Sequence, residues 1–266
     1  MTDVTRTVTR QTWDRGRLQQ DSDAIVIEVP VALVYNGISH VVMMATPADL
    51  EEFALGFSLS EGILQRSGQL LDIEVNELEQ GMELAMTIAA EPFAALKNKR
   101  RNLVGRSGCG LCGVESLEQA IAPAVRVDSN CQLSHRALQA AVEALGQRQS
   151  LKRLTGGVHG AAWCNEKGEI ELLREDVGRH NALDKLIGAL NGAACSTAGF
   201  ALVTSRASYE MVAKAARCNI SVLAAVSAPT SLAVQQAELS EVTLVGFLQP
   251  GRHVIYANGQ RIREDL

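Results

Sequence analysis

The sequence predicts a mixed α/β protein (α+β overall) in two parts, a small α+β domain followed by a larger α/β domain. Three observations predict it. Before residue 105 the strand-like and helix-like segments run in the order β-β-α-β-β, which suits a compact α+β unit. From Asn130 onward, continuous apolar runs alternate with helical stripes, the pattern of a buried, substantially parallel sheet covered by helices. Between them lies "RSGCGLCGVESL", rich in glycine and carrying two cysteines. The predicted division is 20–105 for the small domain, 106–129 for a cysteine-bearing connecting loop, and 130–266 for the α/β domain.

The elements follow in order. The first twenty residues are polar, mix both charge signs, and are the one stretch whose composition reads as disorder. "AIVIEVPVALVY" and "ISHVVMMA" flank Asn36-Gly37, a favoured type I′ hairpin turn. In "TPADLEEFALGFSLSEG", Thr46 is read as N-cap, Pro47 as first helical residue, and Asp49 as favouring the positive helix end. Leu50, Phe53, Ala54 and Phe57 then recur on one face, and Gly62 ends the helix. "LLDIEV" and "MELAMTIA" alternate as strands. In the second part, Ser134 caps a helix whose stripe is Leu138, Ala141, Val142 and Leu145. "EIELLRE" precedes a helix carrying Leu183, Leu186, Ile187 and Leu190. "FALVT" precedes a helix through Met211, and "SVLAAV" precedes one after Pro229. "VTLVGFL" and "HVIYA" close the sheet as a hairpin.

Composition bounds the function. The 266 residues are 47% hydrophobic and 21% charged, ordinary for a globular protein. A net charge of −5 counts against general nucleic-acid binding. No apolar run approaches a membrane span, and the amino terminus lacks the apolar core of a secretory signal. A cytoplasmic location is the resulting expectation, and in that reducing compartment structural disulfides are rare. Cys164, Cys195 and Cys218, scattered singly, read as packing residues.

Ligands of such sheets bind where strands run into helices. Three junctions here are polar in the same way: Ser205-Arg206-Ala207-Ser208, Ser227-Ala228-Pro229-Thr230-Ser231, and Asp176-Val177-Gly178-Arg179-His180-Asn181. Hydroxyls, free amides and an arginine at helix starts suit a phosphate or pyrophosphate. Taken singly, Ser208, Thr230 and Asn181 could be mere caps; several junctions on one edge favour a phosphate-bearing ligand. "LTGGVHGAAW" adds Gly156, Gly157 and Gly160 around His159, without a GxxxxGK or GxGxxG motif. His159 and His180 lie beside turns and are candidate site residues, whereas His40 reads as a surface residue.

Cys109 and Cys112 admit three readings. With Cys131 and His135 they make C-x2-C-x18-C-x3-H, a spacing that resembles a zinc site. A thioredoxin-like redox pair would belong between a strand and a helix instead. The third reading is a nucleophilic thiol that carries sulfur. Lys97, Lys99, Arg100, Arg101 and Arg106 stand upstream, where positive charge would favour the thiolate, although a basic run is also commonly just a solvated face.

The chain resembles the formate dehydrogenase accessory sulfurtransferases, the FdhD family. The resemblance rests on "GRSGCGLCGVESL", "GGVHGAAW", "REDVGRHNALDKLIG", "SRASYEMVAKAA", "SAPTSLAV" and "TLVGF", in that order. It implies a cytoplasmic homodimer with a cytidine-deaminase-like three-layer α/β/α second domain. It further implies that sulfur is accepted from a cysteine desulfurase as a persulfide and delivered to bis-molybdopterin guanine dinucleotide, for which GDP is a mimic, on behalf of formate dehydrogenase. Cys109 would bear the persulfide, with Cys112 assisting or dispensable and no structural metal; the alternative reading is a zinc-stabilised chaperone that binds the cofactor without sulfur transfer. The family's cofactor-contacting segment corresponds to Phe247, Leu248, Gln249, Pro250, Gly251 and Arg252. Ser205, Arg206, Ser208, Ser227, Thr230, His159, Arg179 and His180 complete the implied pocket. Gln249-Pro250 departs from the family's usual Arg-Gly, and Asn219 and Ser221 stand where Gly and Pro are common. The deaminase zinc signature is absent, so deaminase activity is not implied.

Overall fold

A computed structural model describes residues 3–101, 123–129 and 131–264. Cys109, Cys112 and Arg106 lie outside the described residues.

The opening residues correct the expectation of disorder. β1 (Thr5–Asp14) and β2 (Arg17–Val26) pair antiparallel as a separate two-stranded sheet. Arg15 and Gly16, at φ 46° and 86°, supply the two left-handed residues that a tight two-residue turn needs. Arg10 bonds Asp21 at 2.9 Å across the ladder and also pairs with Asp23. The composition is polar because both faces of this ribbon are largely exposed.

β3 (Val29–Tyr35), β4 (Ile38–Ala45), β5 (Leu70–Leu78) and β6 (Gly81–Ile88) form a four-stranded sheet in the order β4-β3-β6-β5. The Asn36-Gly37 hairpin forms as expected, with φ of 46° and 78°. Asn36 also accepts from Ile88 N at 2.7 Å and donates to Ile88 O at 3.1 Å, tying the turn to β6. His40 is not a free surface residue: its ring meets Tyr35 edge-on at 5.6 Å and Phe57 at 6.4 Å. α2 (Ala90–Arg101) takes in the basic run from Lys97 to Arg101, where no helix is expected from the sequence. Leu96 of α2 is buried, and Lys97 sits 4.6 Å from the Phe93 ring.

α1 (Leu50–Ser60) buries the expected stripe and ends at Gly62, φ 68°. It starts later than the sequence signals suggest. Asp49 holds the cap position at φ 53° without a side-chain cap bond and lies 3.7 Å from Arg174. Thr46 is fully buried and does not cap. Its N–H donates to Asp176 Oδ2 (3.0 Å), its carbonyl accepts from Lys185 Nζ (2.9 Å), and its hydroxyl accepts from Val177 N (3.3 Å). A buried backbone needs such partners, and here another part of the chain provides them.

β7 (Leu133–Ser134) pairs in parallel with β14 (Ile262–Arg263). α3 (His135–Arg148) follows, its Ala137 N–H donating to the Ser134 cap at 3.1 Å, then the short α4 (Ser150–Thr155). β8 (His159–Asn165), β9 (Ile170–Asp176), β10 (Gly199–Val203), β11 (Val222–Ala225), β12 (Thr243–Gln249) and β13 (Arg252–Ala257) form the second sheet in the order β13-β12-β11-β10-β8-β9. The sheet is mixed, which corrects the largely parallel expectation. β10–β11 and β11–β12 are parallel, while β8–β9, β8–β10 and β12–β13 are antiparallel. Continuous apolar runs report burial on both faces, not strand direction.

α3 packs its Leu138, Ala141 and Leu145 on one face, against Ala162, Phe200, Leu202, Val222 and Val245. The other face carries α5 (Arg179–Gly192), α6 (Tyr209–Arg217) and α7 (Ser231–Leu239) over Ala161, Ala201, Leu223 and Leu244. This is the expected three-layer arrangement. The second core is continuous with that of the four-stranded sheet, because α1 lies directly on α5. A Cβ on Gly56 would fall 1.7 Å from Asp184 O, and one on Gly188 would fall 1.9 Å from Glu52 O. Two glycines thus let the helices touch backbone to backbone.

Two charged pairs are sealed beside that crossing. Lys185 Nζ is 2.7 Å from Asp176 Oδ2, both side chains fully buried. Lys214 Nζ lies 2.9 Å from Asp184, with Ser60 Oγ and Glu61 also in reach. Removing one member of such a pair strands the other charge and costs about 3–5 kcal/mol.

Candidate functional site

β9, β10, β11 and β12 run in one direction, and β8 and β13 run opposite. The carboxyl ends of the first four and the starts of the other two therefore share one edge of the sheet. Every described residue singled out from the sequence as a phosphate or nucleotide contact falls there. Across the edge, from β13 to β9, come Arg252, Phe247 to Gln249, Ser227 to Thr230, Ser205 to Ser208, His159, and Arg179 with His180.

Hydrogen bonds beyond the strand ends lace this edge sideways. Gly160 N donates to Thr204 Oγ1 at 2.9 Å, and Thr204 N to Gly160 O at 3.0 Å. Thr230 N donates to Ala207 O and Phe247 N to Ser227 O, each at 3.1 Å. The loops after β10 and β11 and the last residues of β12 are thus fixed to one another through their backbones.

The side chains divide into occupied and available groups. Thr230 does cap α7, accepting from Ala233 N at 3.3 Å. Asn181 is buried and spends its amide on Met44 O (2.8 Å) and Asp176 Oδ1 (2.9 Å), so it belongs to the inter-sheet clamp. Ser208 precedes α6 without a cap bond and donates to Glu210 Oε2 at 3.3 Å. His180 Nε2 lies 3.0 Å from the same Glu210 oxygen, joining two junctions. Ser205 is buried, its hydroxyl on Arg206 O at 3.0 Å. Leu248 is fully buried in the core under α3, so it offers the edge its backbone and no side chain.

Arg206 and Arg252 are exposed. Arg179 keeps a buried Nε with no partner among the described residues. His159 is held below its ordinary value of 6.5, first by burial and then by Lys152 and Arg179, against the pull of Asp176. Burial first, then Arg179, likewise holds His180 down, with Glu210 opposing. Both imidazoles are therefore neutral near pH 7, and the cationic character of the edge rests on Arg179, Arg206 and Arg252.

Phe247 adopts φ 49° at an irregularity between Gly246 and Gln249, and Arg252 Cζ lies 5.9 Å from its ring centroid. A bulky residue in the left-handed region is a true outlier, and such strain gathers at functional positions. Bare Gly246 makes room for Pro229 and Tyr256, which a Cβ would meet at 2.8 and 3.0 Å.

Cys131 and His135 have partners within the fold. Cys131 Sγ is buried and donates to Gly199 O at 3.4 Å, and burial pushes its thiol up. His135 Nδ1 is 2.8 Å from His253 Nε2. Cys164 is fully buried with its thiol pushed up to about 12, and Cys195 and Cys218 pack against the core, as packing residues should.

Sequence reasoning missed Glu210, Thr204 and the clamp of Thr46, Asp176, Lys185, Asp184 and Lys214. One signal was present: Asp184 and Lys185 sit between Leu183 and Leu186, charges set inside an apolar stripe.

The FdhD/NarQ family model matches residues 26–263. The sulfur carrier protein FdhD of Cupriavidus necator is 54% identical over 254 residues, covering 95% of this chain and 88% of that one. Its namesake from Xanthomonas euvesicatoria is 50% identical over 260 residues, covering 97% and 92%. Among solved structures, a candidate formate dehydrogenase accessory protein of Desulfotalea psychrophila superposes with a TM-score of 0.76. It is 24% identical and covers 98% of this chain and 100% of its own, a likeness of fold. With the family model spanning both sheets and the sheet-edge loops, the chain belongs to the FdhD/NarQ family.

Proposed function

We propose that this protein carries sulfur for the maturation of formate dehydrogenase, with Cys109 as the carrier thiol and the sheet edge as the seat of the acceptor. The close relatives named sulfur carrier proteins support the role. The donor is a cysteine desulfurase. The Cys109 thiolate attacks the terminal sulfur of the donor's persulfide, a new S–S bond forms on Cys109, and the donor thiolate leaves. Delivery as sulfide takes two electrons, which Cys112 can provide by closing a disulfide with Cys109. The working protein is a cytoplasmic homodimer.

The acceptor is bis-molybdopterin guanine dinucleotide, a substrate of the transfer and not a resident cofactor. The observation that carries this part is the sheet edge itself. Arg206 and Arg252 are exposed and Arg179 keeps an Nε with no partner among the described residues, all on the edge where β9, β10 and β13 present their termini. Guanidinium groups suit phosphate oxygens, and neutral His159 and His180 can offer directional hydrogen bonds without adding charge. These residues fit a pyrophosphate-linked nucleotide, and GDP is the practical probe.

The decisive experiment is Cys109→Ala. Incubated with a desulfurase and cysteine, the native protein should gain one sulfur atom on the peptide holding Cys109, read by mass spectrometry. The variant should gain none there and fail to activate formate dehydrogenase, while binding GDP as before. Full activation by the variant would exclude Cys109 as carrier.

A further inference from the structure

The turn Gln249-Pro250-Gly251-Arg252 between β12 and β13 is tied to α3 through three hydrogen bonds in series. Gly251 N donates to Gln139 Oε1 at 2.6 Å. Gln139 Nε2 meets His253 Nδ1 at 3.0 Å, and His253 Nε2 meets His135 Nδ1 at 2.8 Å. The two imidazoles are stacked, with centroids 5.0 Å apart. His135 and Gln139 stand one turn apart on α3, so they share a face.

The chain of bonds fixes where every proton sits. The Gln139 amide cannot be reversed, because the Gly251 N–H needs its oxygen. Its NH2 group therefore faces His253, and an amide nitrogen only donates, so His253 Nδ1 must be bare. A neutral imidazole carries one proton; here it is on Nε2, pointed at His135 Nδ1, which must be bare as well. Both rings are thus neutral and both carry hydrogen on Nε2. A proton added to either bare nitrogen sets two donors face to face and places a cation against the neighbouring ring.

The surroundings of His253 oppose that proton. Burial and the neighbouring His135 hold His253 below its ordinary value. Among the described residues, Arg136 follows His135 on α3 and Arg252 precedes His253 on β13; the β8–β9 turn, whose Gly168 packs against Ala137 of α3, carries Glu166, Lys167 and Glu169, and Arg263 of β14 is followed by Glu264.

We infer that His135, Gln139 and His253 are positioning residues that lock the 249–252 turn while both imidazoles are neutral and release it on acidification. The effect on acceptor binding rests on the nucleotide reading of this turn given above; the lock itself does not.

The test uses the full chain labelled with nitrogen-15, between about pH 7.5 and about pH 4.5, a span that runs through ordinary imidazole titration and on below it, where His253 is held. Long-range proton–nitrogen NMR should show both rings protonated on Nε2 alone at the upper pH. The exchange protection of the Gly251 amide, corrected for intrinsic rate, should fall about fivefold at the lower pH, the loss of one modest hydrogen bond. The Kd for GDP should rise in parallel. Gln139→Glu separates positioning from mere packing. Its carboxylate can accept from Gly251 N–H and from a protonated His253 together, so protection should persist at the lower pH. Hydrogen on Nδ1 of either ring at the upper pH, pH-invariant protection of Gly251, or a Gln139→Glu protein that loses protection like the native chain would each overturn the lock. Absence of GDP binding at every pH, with the ring and amide results as expected, would support the lock and overturn the nucleotide reading instead.

Discussion

The open edge of the six-stranded sheet and the crossing of α1 with α5 are built from the same stretch of sequence, and they use charge in opposite ways. In "REDVGRHNALDKLIG", Arg179 and His180 belong to the edge, whereas Asp176, Asn181, Asp184, Lys185 and Gly188 belong to the crossing. On the edge, arginines are exposed or keep a donor without a partner among the described residues. At the crossing, Lys185 and Lys214 are buried with their carboxylates within hydrogen-bond distance. A charge already neutralised inside the protein has no capacity left for a ligand, so the motif serves the crossing with one half and, on the reading proposed above, the acceptor with the other. Its clamp half sets where its edge half sits, because Asp176 Oδ1 accepts from Gly178 N at 2.7 Å just ahead of Arg179.

Substitutions that separate the two tasks sharpen the comparison. The largest effect is expected for Gly56→Val. Its Cβ would lie 1.7 Å from a backbone oxygen that cannot swing aside, so the purified protein should show no cooperative melt by circular dichroism. A native-like melt would show that the helices can separate without loss of the fold. Next is Lys214→Met, which leaves Asp184 buried without its cation. Destabilisation of about 3–5 kcal/mol is expected in urea unfolding, largely recovered in the double variant Lys214→Met with Asp184→Leu. GDP affinity of the folded fraction should not change. The smallest effect on stability belongs to Arg206→Ala, within about 0.5 kcal/mol because the residue is exposed. The same variant should weaken GDP binding by about 1.5–3 kcal/mol, the scale of a charge-assisted contact. Unchanged GDP affinity would remove Arg206 from the site and break the contrast between edge and crossing.

Local chemistry made much of the fold legible. Apolar stripes located α1, α3 and α5, Asn36-Gly37 located a hairpin, and Ser134 and Thr230 located caps. What failed was whatever depends on a distant partner. Thr46 looked like a cap because a threonine before a proline usually is one; Asp176, 130 residues away, claims its amide instead. Strand direction beyond β10–β12 was unreadable, since burial on both faces looks alike for either direction. The first hairpin was missed because a ribbon exposed on both faces shows no apolar period.

The candidate site was legible as residue types at strand ends, and the shared edge brought them together. Its fine structure was not, because Glu210, Thr204 and the His135–Gln139–His253 chain carry no pattern in one dimension. Two departures from the family's common residues do find a structural account. Asn219 takes φ 57°, a conformation that glycine also serves, and accepts from Asp128 N at 2.8 Å. Ser221 donates to Ser129 Oγ at 3.1 Å. Both help seat residues 128–129, toward the end of the segment that follows the cysteines.

The paired glycines where α1 meets α5 also restrict how the chain can change in length. Inserting a single residue ahead of Gly56 within α1 would turn everything beyond it by about 100°, swinging the bare position away and pushing a side chain into the neighbouring backbone. Relatives that share this contact should therefore differ by insertions and deletions in their connecting turns, and hardly ever inside either helix.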